Sequence, residues 1–191
     1  MIEKIYNDML QNFHDTLEAT SNDSKKSESM TTCQSIVVNI DKLKDDFVRK
    51  MRFSVFPKSC DALLYMAFNN EFFIIEFKNG RIMDKEYIEI KEKIFETLLL
   101  LSEQFEATTK YMRKKMNFIL VYNENVTHGQ KQFEDTGRGR IQKTFCKLTK
   151  RHEPKFGLYR FKKMYFKDVF TYTKTEFESE FVKKHCMEAT S

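Results

Sequence analysis

The most constraining feature of the sequence is a pair of apolar runs within SCDALLYMAFNNEFFIIEFKNG, residues 59–80. Each run has the length of a strand and is apolar on both alternating faces. The pair therefore predicts a hairpin of residues 61–68 and 71–78, inside a sheet that is covered on two sides. Asn69 and Asn70 fit a two-residue turn, because asparagine accepts the positive φ that such a turn needs.

Three charged residues, Asp61, Glu76 and Lys78, interrupt this apolar hairpin. With a two-residue turn, Asp61 faces Lys78 and Leu63 faces Glu76, and residues two apart on a strand share a face. All three charges are therefore predicted to project from one side, at one end of the hairpin. A four-residue loop would keep this arrangement, whereas a three-residue loop would break it.

The three charges have two interpretations. Two converging carboxylates can bind a hard divalent cation such as Mg²⁺ or Mn²⁺, and an adjacent ammonium group can orient a water molecule and offset phosphate charge. Together these groups favour metal-assisted phosphodiester hydrolysis. The structural alternative is a salt bridge in which Lys78 neutralises both carboxylates, because buried charges are costly unless they are paired.

The residues CD at 60–61, followed by EFK at 76–78 and then by a helix, resemble the motif of the PD-(D/E)XK nuclease superfamily. Cysteine stands where that motif has its proline. The resemblance covers residues 59–122, about a third of the chain. It implies a restriction-endonuclease-like fold of the α/β (α+β) class, with a mixed central sheet of about four core strands flanked by helices.

The resemblance also implies roles for individual residues. Asp61 and Glu76 would bind Mg²⁺ or Mn²⁺, the backbone carbonyl of Phe77 would assist them, and Lys78 would serve the attacking water. Many members supply a further acid from their first helix. The candidates for it are Glu18, Asp45 and Asp46, and their spacing does not choose among them.

A lysine on the helix after the hairpin is a further candidate. A helical wheel of residues 84–101 places Lys91 inside an apolar arc, so Lys91 is predicted to point toward the sheet as a catalytic partner. Superfamily members often carry a polar residue on this helix that faces the site. The alternative is a lysine that snorkels at the edge of the arc. The arc comprises Tyr87, Ile88, Ile90, Ile94, Phe95, Leu98, Leu99 and Leu101.

The length of 191 residues predicts a single domain. Residues 1–20 are expected to form an N-terminal helix and residues 21–34 a flexible loop. A nuclease core is expected over residues 36–124, and a basic segment with a C-terminal strand and helix over 125–191. Further elements are predicted as a strand at 35–40, a helix at 41–51 capped by Asp41, a helix at 84–104, a strand at 116–122, a basic helix within 130–151, a strand at 164–172 and a helix capped by Thr173 and Glu176.

The distribution of charge points to a polyanionic partner. The chain has a net charge of +5, but residues 125–174 hold 13 basic and four acidic residues, which leaves the remainder at −4. A basic segment on an acidic body favours nucleic acid, DNA or RNA, as the partner, and the alternative is an ordinary solvated basic face. Two alternatives stay open: a non-catalytic protein-binding module of the inhibitor or immunity type on the same fold, and a nucleic-acid-binding protein that does not cleave.

The sequence argues against several other classes. No run approaches the 18 apolar residues of a membrane span, and the N-terminus lacks the pattern of a signal peptide. Cys33, Cys60, Cys146 and Cys186 are dispersed, so we expect reduced thiols and a cytoplasmic location. The four histidines form no zinc motif.

Overall fold

The computed structural model describes residues 2–23, 28–127 and 154–185. The strands are β1 (His14–Thr16), β2 (Asn22–Asp23), β3 (Glu28–Ser29), β4 (Ile36–Asn39), β5 (Ala62–Met66), β6 (Glu71–Lys78), β7 (Met116–Tyr122) and β8 (Asp168–Thr173). The helices are α1 (Ile2–Phe13), α2 (Leu17–Thr20), α3 (Ile40–Met51), α4 (Asp84–Phe105), α5 (Thr109–Lys115), α6 (Glu124–Thr127) and a 3₁₀ helix, Leu158–Phe161. The last helical segment, α7, runs through Lys174–Glu176, a π-helical stretch Phe177–Val182 and Lys183–His185.

A six-stranded mixed sheet forms the centre of the described structure, with the strand order β1-β4-β5-β6-β7-β8. The pairs from β1 to β6 are antiparallel, whereas β6, β7 and β8 are parallel to one another. Helices α4 and α5 supply the crossover that a parallel β6–β7 pair requires. β2 and β3 form a separate antiparallel pair. The predicted mixed α/β fold, with helices flanking the sheet, is confirmed.

Both faces of the central strands are buried, as the apolar runs predict. One face packs against α1, α3 and α4, and the other packs against α7 and the N-terminal segment around Leu17 and Met30. Along β6 the side chains alternate between these layers. Ile74 lies on the α4 side, while Phe73 and Phe77 lie on the α7 side, where their rings meet those of α7.

The hairpin differs from the prediction in its turn and register. Residues 67–70 form a four-residue loop, which Asn70 closes with φ 53° and a 3.2 Å hydrogen bond from its amide to the carbonyl of Ala67. Leu63 therefore pairs with Ile74, not with Glu76. The side of the sheet that each residue faces is unchanged, because the loop length still differs from the predicted turn by an even number.

The N-terminal region departs further from the prediction. The helix predicted over residues 1–20 is interrupted by β1, which pairs with β4 and carries no apolar run. Some residues of the expected flexible loop, Met30 and Cys33 among them, belong to the buried core. Met30 is fully buried, and the hydroxyl of Ser21 accepts hydrogen bonds from the amides of Met30 and Thr31. Short strands of polar residues are held by such contacts and give no periodic signal.

Among the other elements, two have the predicted bounds and one has the predicted cap, whereas a strand start and another cap differ. α4 and β7 have the expected bounds within one residue, and the capping box of Thr173 and Glu176 opens α7. The predicted strand at 164–172 starts later, at Asp168, and the cap of α3 is Asn39, not Asp41. The predicted basic helix within 130–151 lies outside the described residues, as do seven of the 13 basic residues of the 125–174 segment.

Among the described helices, none combines the length and the apolar character that crossing a membrane requires.

A buried threonine on α4 fixes the start of the hairpin. The side chain of Thr97 is fully buried, and its Oγ1 accepts a 2.8 Å hydrogen bond from the amide of Cys60. This bond holds the residue that directly precedes Asp61. α4 therefore sets the position of the chain directly before Asp61, the first of the three charged residues of the hairpin.

Replacing Thr97 with valine tests this anchor. Thr97→Val keeps the shape of the side chain but leaves the buried Cys60 amide without its acceptor, so we expect the free energy of unfolding to fall by about 1–3 kcal/mol. Chemical denaturation measures the loss. Thr97→Ser keeps the hydroxyl and is expected to lose less; equal losses in the two variants would contradict the role of the hydrogen bond.

Candidate active site

Asp61 is attached to β6 by its backbone and by its side chain. Its amide donates a 3.1 Å hydrogen bond to the carbonyl of Ile75, and its Oδ2 accepts a 2.6 Å hydrogen bond from the amide of Phe77. The carboxylate therefore lies next to Glu76, as the sequence predicts. The residue whose carbonyl was predicted to bind a metal, Phe77, also orients this carboxylate through its amide.

The cation between the two carboxylates is Lys93, which the sequence analysis did not identify. Its Nζ lies 2.7 Å from Glu76 Oε1 and 3.6 Å from Asp61 Oδ1. The predicted partner, Lys91, instead lies over the ring of Tyr87, 4.4 Å from its centroid. The prediction that Lys91 points into the site is therefore not met, and Lys93 takes that place.

The helical wheel failed because apolar residues surround much of α4. Ile88, Phe95 and Leu99 belong to the predicted buried arc but are exposed, whereas the polar Thr97 is fully buried. Lys93 lies four residues before Thr97 and therefore on its side of the helix. A helical wheel that includes Thr97 in the buried face places Lys93, rather than Lys91, on that face.

Lys78 stays near the carboxylates but does not neutralise them. Its Nζ lies 3.4 Å from Oε2 of Glu89, a residue of α4. The structural alternative is therefore correct in kind but wrong in its partner, because the salt bridge to both carboxylates comes from Lys93. Lys78 keeps its ammonium group beside the cluster, about a quarter exposed.

Asp61, Glu76, Lys78 and Lys93 form a charged cluster, and Glu76 is its most deeply buried member. The residue is 1% exposed, and its Oε2 has no hydrogen-bond partner among the described residues. Burial and the charge of Asp61 raise the pKa of Glu76 to about 8, although Lys93 acts in the opposite direction. Burial also raises the pKa of Asp61 against the effects of Lys93 and the Phe77 amide.

None of the three predicted upstream acids reaches the cluster. Glu18 accepts a hydrogen bond from Gln34, and Asp45 and Asp46 pair with basic residues on α3. The acid that does interact with the cluster is Asp41, in the first turn of α3, which the sequence analysis assigned only a capping role.

Asp41 is tied to the cluster by a hydrogen bond and by its charge. Its Oδ1 accepts a 2.5 Å hydrogen bond from the hydroxyl of Ser59, two residues before Asp61. Burial alone would raise the pKa of Asp41, but hydrogen bonds from Ser59 and Lys44 and the charges of Lys44 and Lys93 hold it below its usual value. The charge of Asp41 in turn raises the pKa of Asp61.

A cleft opens beside the cluster at the carboxyl end of β6. Its volume is about 410 Å³, and Asp61, Phe77 and Lys78 contribute to its wall. The opposite wall is the N-terminal segment, including Ser21 and Met30. The cleft gives Asp61 and Lys78 access to a molecule that arrives from solvent.

The carboxylates of Asp61 and Glu76 fit a divalent cation. Mg²⁺ usually takes one or two protein carboxylates and completes its shell with water and substrate phosphate. Within the described ranges, no cluster of three His, Cys, Asp or Glu residues could hold a metal ion. Oε2 of Glu76 is nevertheless a buried acceptor without a hydrogen-bond partner among the described residues. It is therefore available to a second positive charge, such as a bound cation.

Comparison of the chain with protein-family models, with curated proteins and with solved structures gives no match.

The burial of Glu76 predicts how stability depends on pH. A raised pKa means that the folded protein binds this proton more tightly than the unfolded chain, so the stabilisation is complete below the usual value of 4.5 and is lost as the pH rises through about 8. We expect urea unfolding to show a decline of up to about 1.4 kcal/mol per pH unit in that window. Glu76→Gln should reduce the slope, and an unchanged slope in that variant would contradict this origin of the pH dependence.

Proposed function

We propose that the protein is a metal-dependent nuclease of the PD-(D/E)XK type, which hydrolyses phosphodiester bonds. The observation that carries the proposal is the convergence of Asp61 and Glu76 on one cation, Lys93, beside a cleft that Asp61 and Lys78 line. The residues of the predicted motif thus come together on one side of the sheet. Lys91 is not part of the proposed site, because it stacks on Tyr87.

Each residue of the cluster has a separate role in the proposed hydrolysis. Asp61 and Glu76 would hold Mg²⁺ or Mn²⁺, with the carbonyl of Phe77 as a further ligand in keeping with the motif. When bound, the ion supplies Lewis acidity and a lowered pKa of its water. The amide of Phe77 keeps Asp61 in place, and the ammonium group of Lys78 orients the attacking water and offsets charge on the phosphate.

Nucleic acid, DNA or RNA, is the proposed substrate, and the basic 125–174 segment is proposed to contact its backbone. Such contacts provide affinity without reading the sequence. Of the described residues in this segment, Lys174 lies near the cleft wall, since its Nζ is 2.6 Å from Glu28 Oε1, and Glu28 Oε2 in turn accepts a 3.4 Å hydrogen bond from Asn79. A cytoplasmic location is proposed as well, in agreement with the buried thiol of Cys60, which forms no disulfide.

A second candidate function is a non-catalytic protein-binding module on the same fold. The observation that favours it is the ion pair of Lys93, which balances one of the two buried carboxylate charges without any metal. A protein that has no use for a metal would keep such a pair for its structure alone. Binding of divalent metal at Asp61 and Glu76 distinguishes the two functions.

Cleavage of a substrate panel tests the nuclease. Wild type would be incubated with supercoiled DNA, single-stranded DNA and structured RNA, with Mg²⁺ or Mn²⁺, and the products separated on gels. We expect metal-dependent products from wild type. Asp61→Asn and Glu76→Gln should lower the rate at least about 100-fold, because each removes a ligand charge from the reacting centre.

The matched control is Asp45→Asn, an equal change of charge at an exposed position on α3. It should cleave at the wild-type rate. Metal-dependent cleavage that survives Glu76→Gln would show that the activity arises elsewhere or from a contaminant. Binding of the same nucleic acids without any products would favour a protein that does not cleave.

A further inference from the structure

Lys93 occupies the position that a metal ion would need between the two carboxylates. Its Nζ contacts Glu76 at 2.7 Å and lies 3.6 Å from Asp61. No other cation of the described residues has both carboxylates as partners. One ammonium group and one divalent ion cannot share the same oxygen at such distances without strong repulsion.

Lys93 compensates only part of the negative charge of the two carboxylates. Two carboxylates carry two negative charges when ionised, and Lys93 supplies one positive charge. The second oxygen of Glu76 stays buried without a hydrogen-bond partner among the described residues. A divalent cation would balance both carboxylates, so the pair favours such an ion over the ammonium group wherever the ion is available.

The charge of Lys93 also interacts with two further acids, Glu89 and Asp41. Glu89 lies four residues earlier on α4 and therefore on the same face, and it already contacts Lys78 at 3.4 Å. Asp41 is a second acid whose charge interacts with Lys93. The side chain of Lys93 is 23% exposed, and its four-carbon stem is flexible. The ammonium group can therefore leave the carboxylates without becoming an isolated buried charge.

We infer that Lys93 is an internal counter-cation that competes with divalent metal for Asp61 and Glu76, and thereby sets the affinity of this site for metal. The inference rests on the proposed metal site and concerns a residue that the motif does not contain. Lys93 acts through the two carboxylates, as a positioning residue. In the absence of metal it keeps the two acids together, and in the presence of metal it moves toward Glu89 and Asp41.

Metal binding to two matched lysine variants tests the inference. Mn²⁺ would be titrated into wild type, Lys93→Met and Lys91→Met, with calorimetry for the affinity and thermal melting for stability. We expect Lys93→Met to bind Mn²⁺ about tenfold or more tightly than wild type, because the competing charge is gone. Its melting temperature should fall without metal and recover with Mn²⁺. Lys91→Met, two residues away on the same helix, should behave as wild type.

The double variant Lys93→Met/Glu76→Gln assigns the binding to this site, since it should lose the gain in affinity. Equal affinities of wild type and Lys93→Met would overturn the inference but leave the metal site and the proposed nuclease intact. Binding of Mn²⁺ to neither protein would overturn both. Tight binding to Lys93→Met without cleavage by wild type would support the inference and reject the nuclease.

A second measurement uses wild type alone, and so does not depend on how the variants fold. Lysine acetylation would be followed at each site by mass spectrometry, with and without Mn²⁺. Its contacts with the carboxylates of Glu76 and Asp61 hold the ammonium group of Lys93 in an ion pair, so the amine should react slowly without metal. We expect Mn²⁺ to accelerate labelling of Lys93 several-fold and to leave Lys91 unchanged. An unchanged Lys93 in metal-saturated protein would contradict the displacement.

Discussion

The carboxylate of Glu76 lies in the middle of a sheet whose two faces are both covered, and this placement constrains the layers around it. A buried carboxylate is tolerated only with a partner that compensates its charge. That partner is Lys93, 2.7 Å away on α4. α4 must therefore cross the sheet at the position that places Lys93 over Glu76 of β6. Ile90 and Ile94, on the same helix, belong to the buried core on this side of the sheet.

α4 holds the hairpin at two points that lie one turn apart. Thr97 binds the amide of Cys60, and Lys93 binds the carboxylates of Glu76 and Asp61. The first contact fixes the backbone before β5, and the second fixes the side chain of Glu76 on β6 and that of Asp61 directly before β5. The structural support and the candidate chemistry are therefore supplied by the same face of the same helix. The opposite face of β6 provides packing alone, through its phenyl rings against α7.

The sequence predicted those parts of the fold that depend on strong local patterns. The apolar runs of β5, β6 and β7 and the capping box of α7 depend on burial and on local hydrogen bonds, which periodicity and spacing report. β1, β2 and β3 were missed because each has only two or three residues and is polar. The site was predicted at Asp61, Glu76 and Lys78, since strand alternation fixes their side of the sheet. Lys93 and Asp41 depend on how helices dock on that sheet, which local patterns do not report.

The unequal exposure of the two carboxylates has a consequence for the kinetics of ligand exchange. The side chain of Asp61 is 17% exposed and that of Glu76 only 2%, on the same side of the sheet. In the proposed metal site, a cation arriving from the cleft would therefore meet Asp61 first and reach Glu76 only after losing more of its hydration shell. Entry and retention of the ion would then depend on different residues. Asp61 would govern how fast the ion enters, and Glu76 would govern how long it stays.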